Sequence, residues 1–491
     1  MKQTVKTESS YFACATPPGI GGISVIRVAG AGAIELVDRV FTPIRSVAGI
    51  VDRAVFSLKT MPGYTAVYGR FMDPKTGERI DDVVCVKYSA PHSYTGEDIV
   101  EISCHGGFAV RQEIFRVLSE NGGRPAEPGE FTRTAFLNGK IDLSQAEAVM
   151  DVISAGSEMA LRAASHQLAG AMKDEIRQIS RALYECFARL ESVVEFPEEG
   201  VVEDVAFPPT FLAEADAIIH RIEKILQTFF RGRILREGMT IVLAGLPNSG
   251  KSSLLNRLAG YDRAIVNPQA GTTRDTIEVL LSIEKIPVRV IDTAGLRDDS
   301  TDEIERLGIA RSREALAQSD QILWLIDTDK RDFLPDSDLS RLLPTASDKM
   351  ILLIPKADIL SDSQHENMTN ELSSFLKNTK AASRPRVLRR YSSKTDEGLE
   401  ELISFIKTHV DQFGSTAQDE LVLTNERQAT SIRKAHSFIE QVSEGARQGF
   451  LSPDMACALL RAAADALGEV TGDTVSDTLV QEIFSRFCIG K

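Results

Sequence analysis

The stretch Gly245-Leu-Pro-Asn-Ser-Gly250-Lys251-Ser252 constrains this chain more than any other. It follows the apolar run Met239 to Ala244, which reads as a buried strand. It precedes Ser253-Leu-Leu-Asn-Arg-Leu258, whose apolar spacing is helical. A G-x-x-x-x-G-K-S motif between strand and helix has the context of a phosphate-binding loop. Its glycines let the backbone curl until successive N–H groups and the helix N-terminus point at one oxyanion. In that arrangement Lys251 meets the β- and γ-phosphates and Ser252 a magnesium ion, while Asn248, Ser249, Gly250 and Ser253 complete the phosphate contacts.

From Gly238 onward the texture is strand, loop, helix, repeated. Apolar runs at Met239–Ala244, Val288–Ile291, Ile322–Ile326, Met350–Ile354 and Arg386–Tyr391 alternate with helical segments, which predicts a mostly parallel sheet with helices on both faces. Ligands of such sheets sit beyond the carboxyl ends of the strands. Gly271-Thr272-Thr273-Arg-Asp offers the Thr273 hydroxyl to the magnesium shell, and Asp292-Thr293-Ala294-Gly295 follows a strand as a γ-phosphate sensor should. In this order behind a phosphate loop, these segments specify a GTPase, with Asp292 near the metal and the Gly295 N–H near the γ-phosphate.

The base is read from Lys356-Ala-Asp358. A carboxylate accepts from guanine N1–H and the exocyclic amine, a donor pair that adenine lacks. Ser392-Ser393-Lys394 stands where a backbone loop supports the guanine carbonyl. Position 355, where N-K-x-D has its Asn, is Pro, so weaker nucleotide binding is expected with specificity retained through Asp358. Leu296 occupies the place of the water-orienting Gln of many GTPases, and leucine cannot hydrogen-bond water. The acidic stretch Asp298-Asp-Ser-Thr-Asp302-Glu303-Ile-Glu305 lies just downstream.

A chain of 491 residues divides into about three domains. Residues 1–137 mix alternating runs (Ile23–Val28, Val83–Tyr88, Ile99–Ser103) with turn signals and a helix at Val110–Glu120, an α+β pattern. Val28-Ala-Gly30-Ala-Gly32 fails as a dinucleotide fingerprint because Glu35 stands at the third glycine position. Thr16-Pro-Pro-Gly-Ile-Gly-Gly22 and His105-Gly-Gly107 read as tight turns or ligand-facing backbone, of which turns are the more common. Residues 138–237 have helical spacing, with a capping box expected at Ser144 and Glu147, a long helical run from Glu158 to Val194, a break at Phe196–Pro209, and a helix from Thr210 to about Arg233. The nucleotide domain, 238–413, is inserted, and helical texture returns over 414–491, at Leu421–Gly445 and Asp454–Leu467.

The net charge of -14 argues against a protein that coats nucleic acid through bulk charge, though it permits a local basic contact. Six cysteines without a C-x-x-C pair indicate neither a zinc site nor a disulfide framework. Met1–Phe12 has no signal-peptide core and no apolar run is long enough to span a bilayer, so a cytoplasmic, membrane-free protein is expected.

Ala15-Thr-Pro-Pro-Gly19 with Gly22, Tyr94-Thr-Gly-Glu-Asp98, Gly106-Gly107, Pro128-Gly-Glu-Phe131, Ala135-Phe-Leu-Asn-Gly-Lys140, Gly271–Asp275, Asp292-Thr-Ala-Gly-Leu-Arg297 and the terminal Phe487-Cys-Ile-Gly-Lys491 together resemble the tRNA modification GTPase family MnmE, also called TrmE. The resemblance covers essentially the whole chain. It implies a folate-binding-like N-terminal domain, a helical bundle in two pieces and an inserted Ras-like GTPase domain with a doubly wound sheet. It implies a potassium-activated homodimer that, with the flavoprotein MnmG (GidA) in a heterotetramer-type complex, modifies the wobble uridine of certain tRNAs. The one-carbon donor would be 5-formyl- or methylene-tetrahydrofolate, and FAD would sit only on the partner.

By the same resemblance Asn248 is a potassium ligand, and the loop Asn267-Pro268-Gln269-Ala270-Gly271-Thr272-Thr273 closes over nucleotide and ion, with Asn267, Gln269 and Thr272 contributing to the ion. Glu305 matches the acid that positions water; Arg27, Glu101, Lys140 and Lys491 match the folate-binding positions; Cys488 belongs to the C-terminal signature. Two rival readings are a regulatory GTPase of ribosome assembly, which would lack the N-terminal block and the tail, and a folate-dependent protein whose nucleotide domain has decayed, for which only Pro355 speaks. If Glu305 aligns the attacking water, Glu305→Ala lowers single-turnover GTP hydrolysis by about 10²-fold while nucleotide affinity stays nearly unchanged. Intact hydrolysis in that variant would move the role to Asp298, Asp302 or Glu303.

Overall fold

Burial alternates residue by residue over 79–88 and 100–106, with Val83, Cys85, Val100, Ile102 and Cys104 on the buried face, and the first sheet is assembled from this period. The computed structural model describes residues 9–44, 57–195, 207–208, 210–246, 248–261, 277–283, 286–292, 315–326, 328, 339, 343–344, 346–378, 385–411 and 421–490. They form two compact units, one of residues 1–150, 167–209 and 444–491, the other of 151–166 and 210–443. Among the described residues no helix is long and apolar enough to cross a membrane.

The first unit is built on strands β1 (Tyr11–Cys14), β2 (Gly21–Ala29), β3 (Phe41–Pro43), β4 (Thr65–Met72), β5 (Arg79–Tyr88), β6 (Ile99–Gly106) and β7 (Arg124–Pro125), in the order β3-β4-β5-β6-β2-β1-β7. Only the β1–β7 pair is parallel. One face packs on helices α1 (Ala33–Val40) and α2 (Phe108–Glu120) through Ile26, Val28, Val83, Cys85, Val100 and Ile102, all buried. The alternate residues Val25, Arg27, Glu101 and Ser103 therefore point to the other face. Part of that second face is covered by helix α3 (Glu130–Leu137), whose Phe131 joins Tyr11, Ala13, Ala29 and Ile99.

Helices α4 (Leu143–Ser154), α5 (Glu158–Leu168) and α6 (Ala171–Glu195) follow. The capping box is not at Ser144 and Glu147 but two residues earlier. Asp142 Oδ1 accepts from the Gln145 N–H at 2.8 Å, and Gln145 Oε1 accepts from the Asp142 N–H at 3.1 Å. Ser144 lies inside the helix and donates its hydroxyl to Asp142 at 2.7 Å; Asp-x-x-Gln is a reciprocal pair of the same kind as Ser-x-x-Glu. The helical run expected from Glu158 to Val194 is formed by α5 and α6, divided at Gly170, whose φ of +101° is left-handed.

Helices α7 (Phe211–Gln227) and α8 (Phe229–Glu237) replace one expected helix. The Thr228 hydroxyl donates to Ile225 O at 2.7 Å and accepts from Leu423 N at 3.0 Å, a side-chain competition with the backbone ladder that the apolar spacing does not reveal.

The second sheet has the order β13-β12-β11-β8-β10-β9. Strands β8 (Met239–Gly245), β10 (Ile286–Asp292), β11 (Gln321–Leu325), β12 (Met350–Leu353) and β13 (Arg386–Leu388) are parallel, as expected. Strand β9 (Ile277–Ile283), absent from the sequence reading, adds an antiparallel edge to β10. Helices α9 (Lys251–Tyr261) and α11 (Leu399–Asp411) pack one face through Leu254, Leu258, Leu402 and Ile406. Helix α10 (Asp362–Asn378) packs the other through Met368 and Leu372, beside Trp324 and Leu352. The sheet is thus doubly wound.

Helix α12 (Glu426–Gln448) precedes α13 (Pro453–Thr471) and α14 (Asp477–Ser485); the last was not expected and starts at Ser476, whose Oγ accepts from Leu479 N. Phe484 and Phe487 bury against Phe136 and Leu143. Beyond them the chain reaches β1: a Cβ on Gly490 would stand 2.3 Å from Cys14 O, so only glycine allows this approach.

Asp142→Ala should destabilise α4 by about 1 kcal/mol, the usual effect of losing an N-cap acceptor. Amide hydrogen exchange in residues 143–150 would report it as faster opening there, with exchange in the second sheet unchanged.

Candidate functional site

The phosphate loop is shaped by three positive φ values, +135° at Gly245, +68° at Asn248 and +100° at Gly250. A Cβ at Gly245 would lie 2.4 Å from the carbonyl oxygen of Leu325 on the adjacent β11, so the turn out of β8 admits no side chain. Lys251 Nζ donates to Gly245 O and Leu246 O, each at 3.0 Å, and so spans the loop. Ser252 Oγ donates to Asp292 Oδ2 at the end of β10, at 3.1 Å.

Burial pushes the Lys251 ammonium down and the Asp292 carboxyl up from their ordinary pKa values, each opposed by the other's charge, and for Asp292 more strongly by the Ser252 hydroxyl. Asp292 Oδ1 and Ser249 Oγ are buried without a hydrogen-bond partner. An orphaned carboxylate oxygen beside a hydroxyl fits the all-oxygen shell of a hard divalent cation, so Ser252 and Asp292 suit magnesium.

The residues expected to read the base lie beyond the end of β12. Pro355 is buried, and Lys356 has φ +61°. The two loops that would flank the base are joined by backbone: Tyr391 N donates to Ile354 O at 3.1 Å, and Ala357 N to Tyr391 O at 3.0 Å. Ser392 Oγ donates to Asp358 Oδ1 at 2.7 Å and accepts from the N–H groups of Lys394 and Thr395. Lys394 Nζ is 3.7 Å from Asp358 Oδ2. The Ser392 hydroxyl, first, and the Lys394 charge hold the Asp358 carboxyl below the usual carboxylate range. The role of the Ser392 hydroxyl was not evident from the sequence, which marked Ser392-Ser393-Lys394 only as a loop near the base.

On the N-terminal sheet Arg27 and Glu101 are direct cross-strand partners. Arg27 Nε and Nη2 donate to Glu101 Oε1 at 2.9 and 2.8 Å, with the side chains 16% and 22% exposed. The Arg27 guanidinium stands 5.5 Å from the ring centres of both Tyr94 and Phe131, and Tyr88 OH donates to Glu101 Oε2 at 3.3 Å. This aromatic frame was not singled out from sequence, although Tyr94 and Phe131 lie in quoted motifs. Lys140 Nζ donates to Pro91 O at 3.1 Å, so one loop, 90–98, meets Lys140 at Pro91 and Arg27 at Tyr94. Cys488 is exposed, two residues before the Gly490 contact with Cys14. The expected site residues Asn267 to Thr273, Thr293, Ala294, Gly295, Glu305 and Lys491 lie outside the described residues.

The profile described as MnmE helical domain matches residues 143–488, and that described as GTP-binding protein TrmE N-terminus matches residues 10–140. The tRNA modification GTPase MnmE of Lactobacillus delbrueckii subsp. bulgaricus is 38% identical over 491 residues, 100% of each chain. The chain belongs to the MnmE family of tRNA modification GTPases. The MnmE proteins of Acetivibrio thermocellus (38% over 485 residues, 99% of each chain) and Moorella thermoacetica (39% over 489 residues, 99% of this chain and 100% of its own) agree with it end to end. As an MnmE family member the chain is a GTPase, and the expected multidomain α/β and α fold class is the one observed.

A depressed Asp358 pKa means that contacts requiring its carboxylate are present at neutral pH and are lost only as pH falls through the lowered value. Ser392→Ala removes the largest cause, so the acid loss of GDP affinity should begin at a higher pH than in the parent. Fluorescence titration with a labelled GDP over the acid range in which the protein stays folded measures this; superimposable acid limbs would show that Ser392 does not govern Asp358.

Proposed function

We propose that the chain hydrolyses GTP to drive opening and closure of a homodimer that, with the flavoprotein MnmG (GidA), modifies the wobble uridine of certain tRNAs in the cytoplasm. The product is a carboxymethylaminomethyl or aminomethyl-type group at C5, the one-carbon unit coming from a formyl- or methylene-tetrahydrofolate, with FAD on the partner alone. Four segments divide the work: 1–137 for folate and dimerisation, 138–237 and 414–491 for the helical domain, 238–413 for GTP. The observation that carries the reading is the co-occurrence, in one MnmE-type chain, of the phosphate loop with its Ser252–Asp292 link and the Arg27–Glu101 pair on a sheet reached by the C-terminal tail.

Magnesium, when bound, neutralises phosphate oxygens and orients them for in-line displacement. Ser252 and Thr273 hold it, Asp292 accepts from its shell, and Lys251 exchanges its loop carbonyls for phosphate oxygens. Asn248, Asn267, Gln269 and Thr272 hold potassium, which supplies positive charge where other GTPases place an arginine. Glu305 orients the water, the part Leu296 cannot perform. Asp358 reads guanine; the backbone pairing of Ile354 and Ala357 with Tyr391 supports the base loops where Pro355 removes the Asn side chain. Dimerisation is supported by the N-terminal sheet, where Ile23 and Tyr68 are 68% and 50% exposed, and by Ile20 just before β2, 95% exposed.

Turnover should rise with potassium and with protein concentration, and sodium should not substitute; a rate indifferent to both would remove the dimer-activation reading. Nucleoside analysis of tRNA from cells lacking the protein tests the whole proposal, with loss of the wobble-uridine modification expected. Arg27→Ala should weaken calorimetric binding of a reduced formyl-folate and leave GTP affinity intact. Unchanged folate affinity would refute that site.

A further inference from the structure

Arg257 sits on α9, about 9 Å along the helix axis from Lys251, and its Nε and Nη2 donate to Asp396 Oδ1 and Oδ2. Asp396 belongs to the turn 392–398, 139 residues away in sequence. Exposed ion pairs usually contribute little, and these side chains are 36% and 47% exposed. Two features set this one apart. The guanidinium meets both carboxylate oxygens, a fork that fixes direction as well as distance. Asp396 also holds a φ of +65°, a left-handed backbone that glycine adopts freely and aspartate at some cost. A strained residue persists where its surroundings over-determine it, and the side chain that glycine would lack is here the one that reaches α9.

The turn connects Asp396 to Asp358 through a single residue, Ser392. Asp396 N donates to Ser392 O at 3.1 Å and Ser392 N to Glu397 O at 3.0 Å, so the turn is closed on itself by backbone. A Cβ on Gly398 would lie 2.1 Å from Arg390 O, so the closure is tight. Ser392 Oγ in turn donates to Asp358 Oδ1. Tyr391, the residue before the turn, is buried in the same core as Leu254 and Leu258 of α9. Burial raises the pKa of its hydroxyl, and the charges of Arg257 and Asp396 act on it in opposite senses, so the pair stands beside this ring.

We propose that Arg257 and Asp396 are positioning residues for the nucleotide, and that their ion pair tethers the base loops to the phosphate-loop helix where Pro355 has no side-chain hydrogen bond to offer. This role rests on the reading of Asp358 as the guanine acceptor. A guanine nucleotide then meets Asp358 with its base and Lys251 and Ser252 with its phosphates, so its affinity depends on the separation between those two sets. Helix α9 carries Lys251 and Ser252 at one end and Arg257 nearly two turns on. The turn carries Asp396 and Ser392 as one closed piece. Joining the helix to the turn before the ligand arrives removes motion that binding would otherwise have to arrest. The pair acts through Ser392 on one side and through the helix backbone on the other.

The test is the release rate of a fluorescently labelled GDP from the full chain. Arg257→Gln and Asp396→Asn each remove the ion pair, and asparagine tolerates the left-handed φ. Each should speed release about three- to fivefold, the range open to an exposed pair, and the double variant should release no faster than either single one. When salt is raised to about 1 M with choline chloride at constant potassium, release from the parent should approach that from the variants, since screening weakens the pair. A general loosening of the fold would not give that convergence. In Pro355→Asn, where an amide can supply a tether, Arg257→Gln should lose most of its effect. Parental release in both single variants, or single effects that add in the double variant, overturns the tether. Rates that stay apart at high salt assign the effect to lost packing and overturn it as well. A full effect of Arg257→Gln in Pro355→Asn overturns the substitution for position 355. A parent chain that holds labelled ADP as tightly as GDP refutes the reading of Asp358 instead.

Discussion

The close passage of the backbone at Gly245 past Leu325 is the constraint on which the nucleotide site depends. Neighbouring strands β8 and β11 are at ladder distance, and the turn that leaves β8 must cross the Leu325 carbonyl with 2.4 Å where a Cβ would be. Glycine alone permits both that approach and the φ of +135°. Once the chain has turned, Asn248 and Gly250 continue the curl with positive φ, and α9 begins at Lys251 with its first N–H groups unpaired within the helix. The lysine and the serine hydroxyl are then placed by helix geometry, and Asp292 meets Ser252 because β10 lies parallel beside β8 in register.

That placement puts opposite charges in a partly buried spot. Burial disfavours both the Lys251 ammonium and the Asp292 carboxylate, and each relieves the other only in part. A site with an orphaned carboxylate oxygen and a lysine leaning on two carbonyls is poised for a ligand that brings anionic oxygens and a cation together. Magnesium nucleotide has that composition.

Much of this was legible because it depends on period and local chemistry. The parallel strands follow from apolar runs between helices, whereas Arg27 and Glu101 were matched by resemblance and it is the β2–β6 register that sets them opposite each other. What periodicity cannot see is where a ladder is interrupted without a change of pattern. The apolar stripe continues on both sides of Gly170 and of Thr228, so the spacing does not show that the left-handed φ at Gly170 and the Thr228 hydroxyl each end a helix. The capping box was misplaced because Asp142-x-x-Gln145 and Ser144-x-x-Glu147 overlap, and choosing between them depends on where the chain enters the helix. Strand β9 is an antiparallel edge whose partner, β10, is set by topology. In the candidate site, residue identities were legible but their mutual partners were not: Ser392 with Asp358 joins positions 34 residues apart, and Arg257 with Asp396 positions 139 apart.

These partners share one physical logic. Lys251 with its loop carbonyls, Arg27 with Glu101 between aromatic rings, and Asp358 with Ser392 are each satisfied within the chain. A ligand therefore exchanges hydrogen bonds more than it creates them, and a net hydrogen bond contributes only about 0.5–1.5 kcal/mol. Affinity at such sites is a difference between two nearly equal sums, whereas geometry is fixed beforehand. A wrong ligand breaks an existing pair without replacing it, leaving a partly buried charge or acceptor unmatched, and that penalty is larger than the gain from a right one. Pre-paired charges thus favour discrimination over tight binding. The Pro at position 355 is consistent with this logic, since the Asp358 carboxylate is held by Ser392 and needs no tether from position 355 to keep its direction.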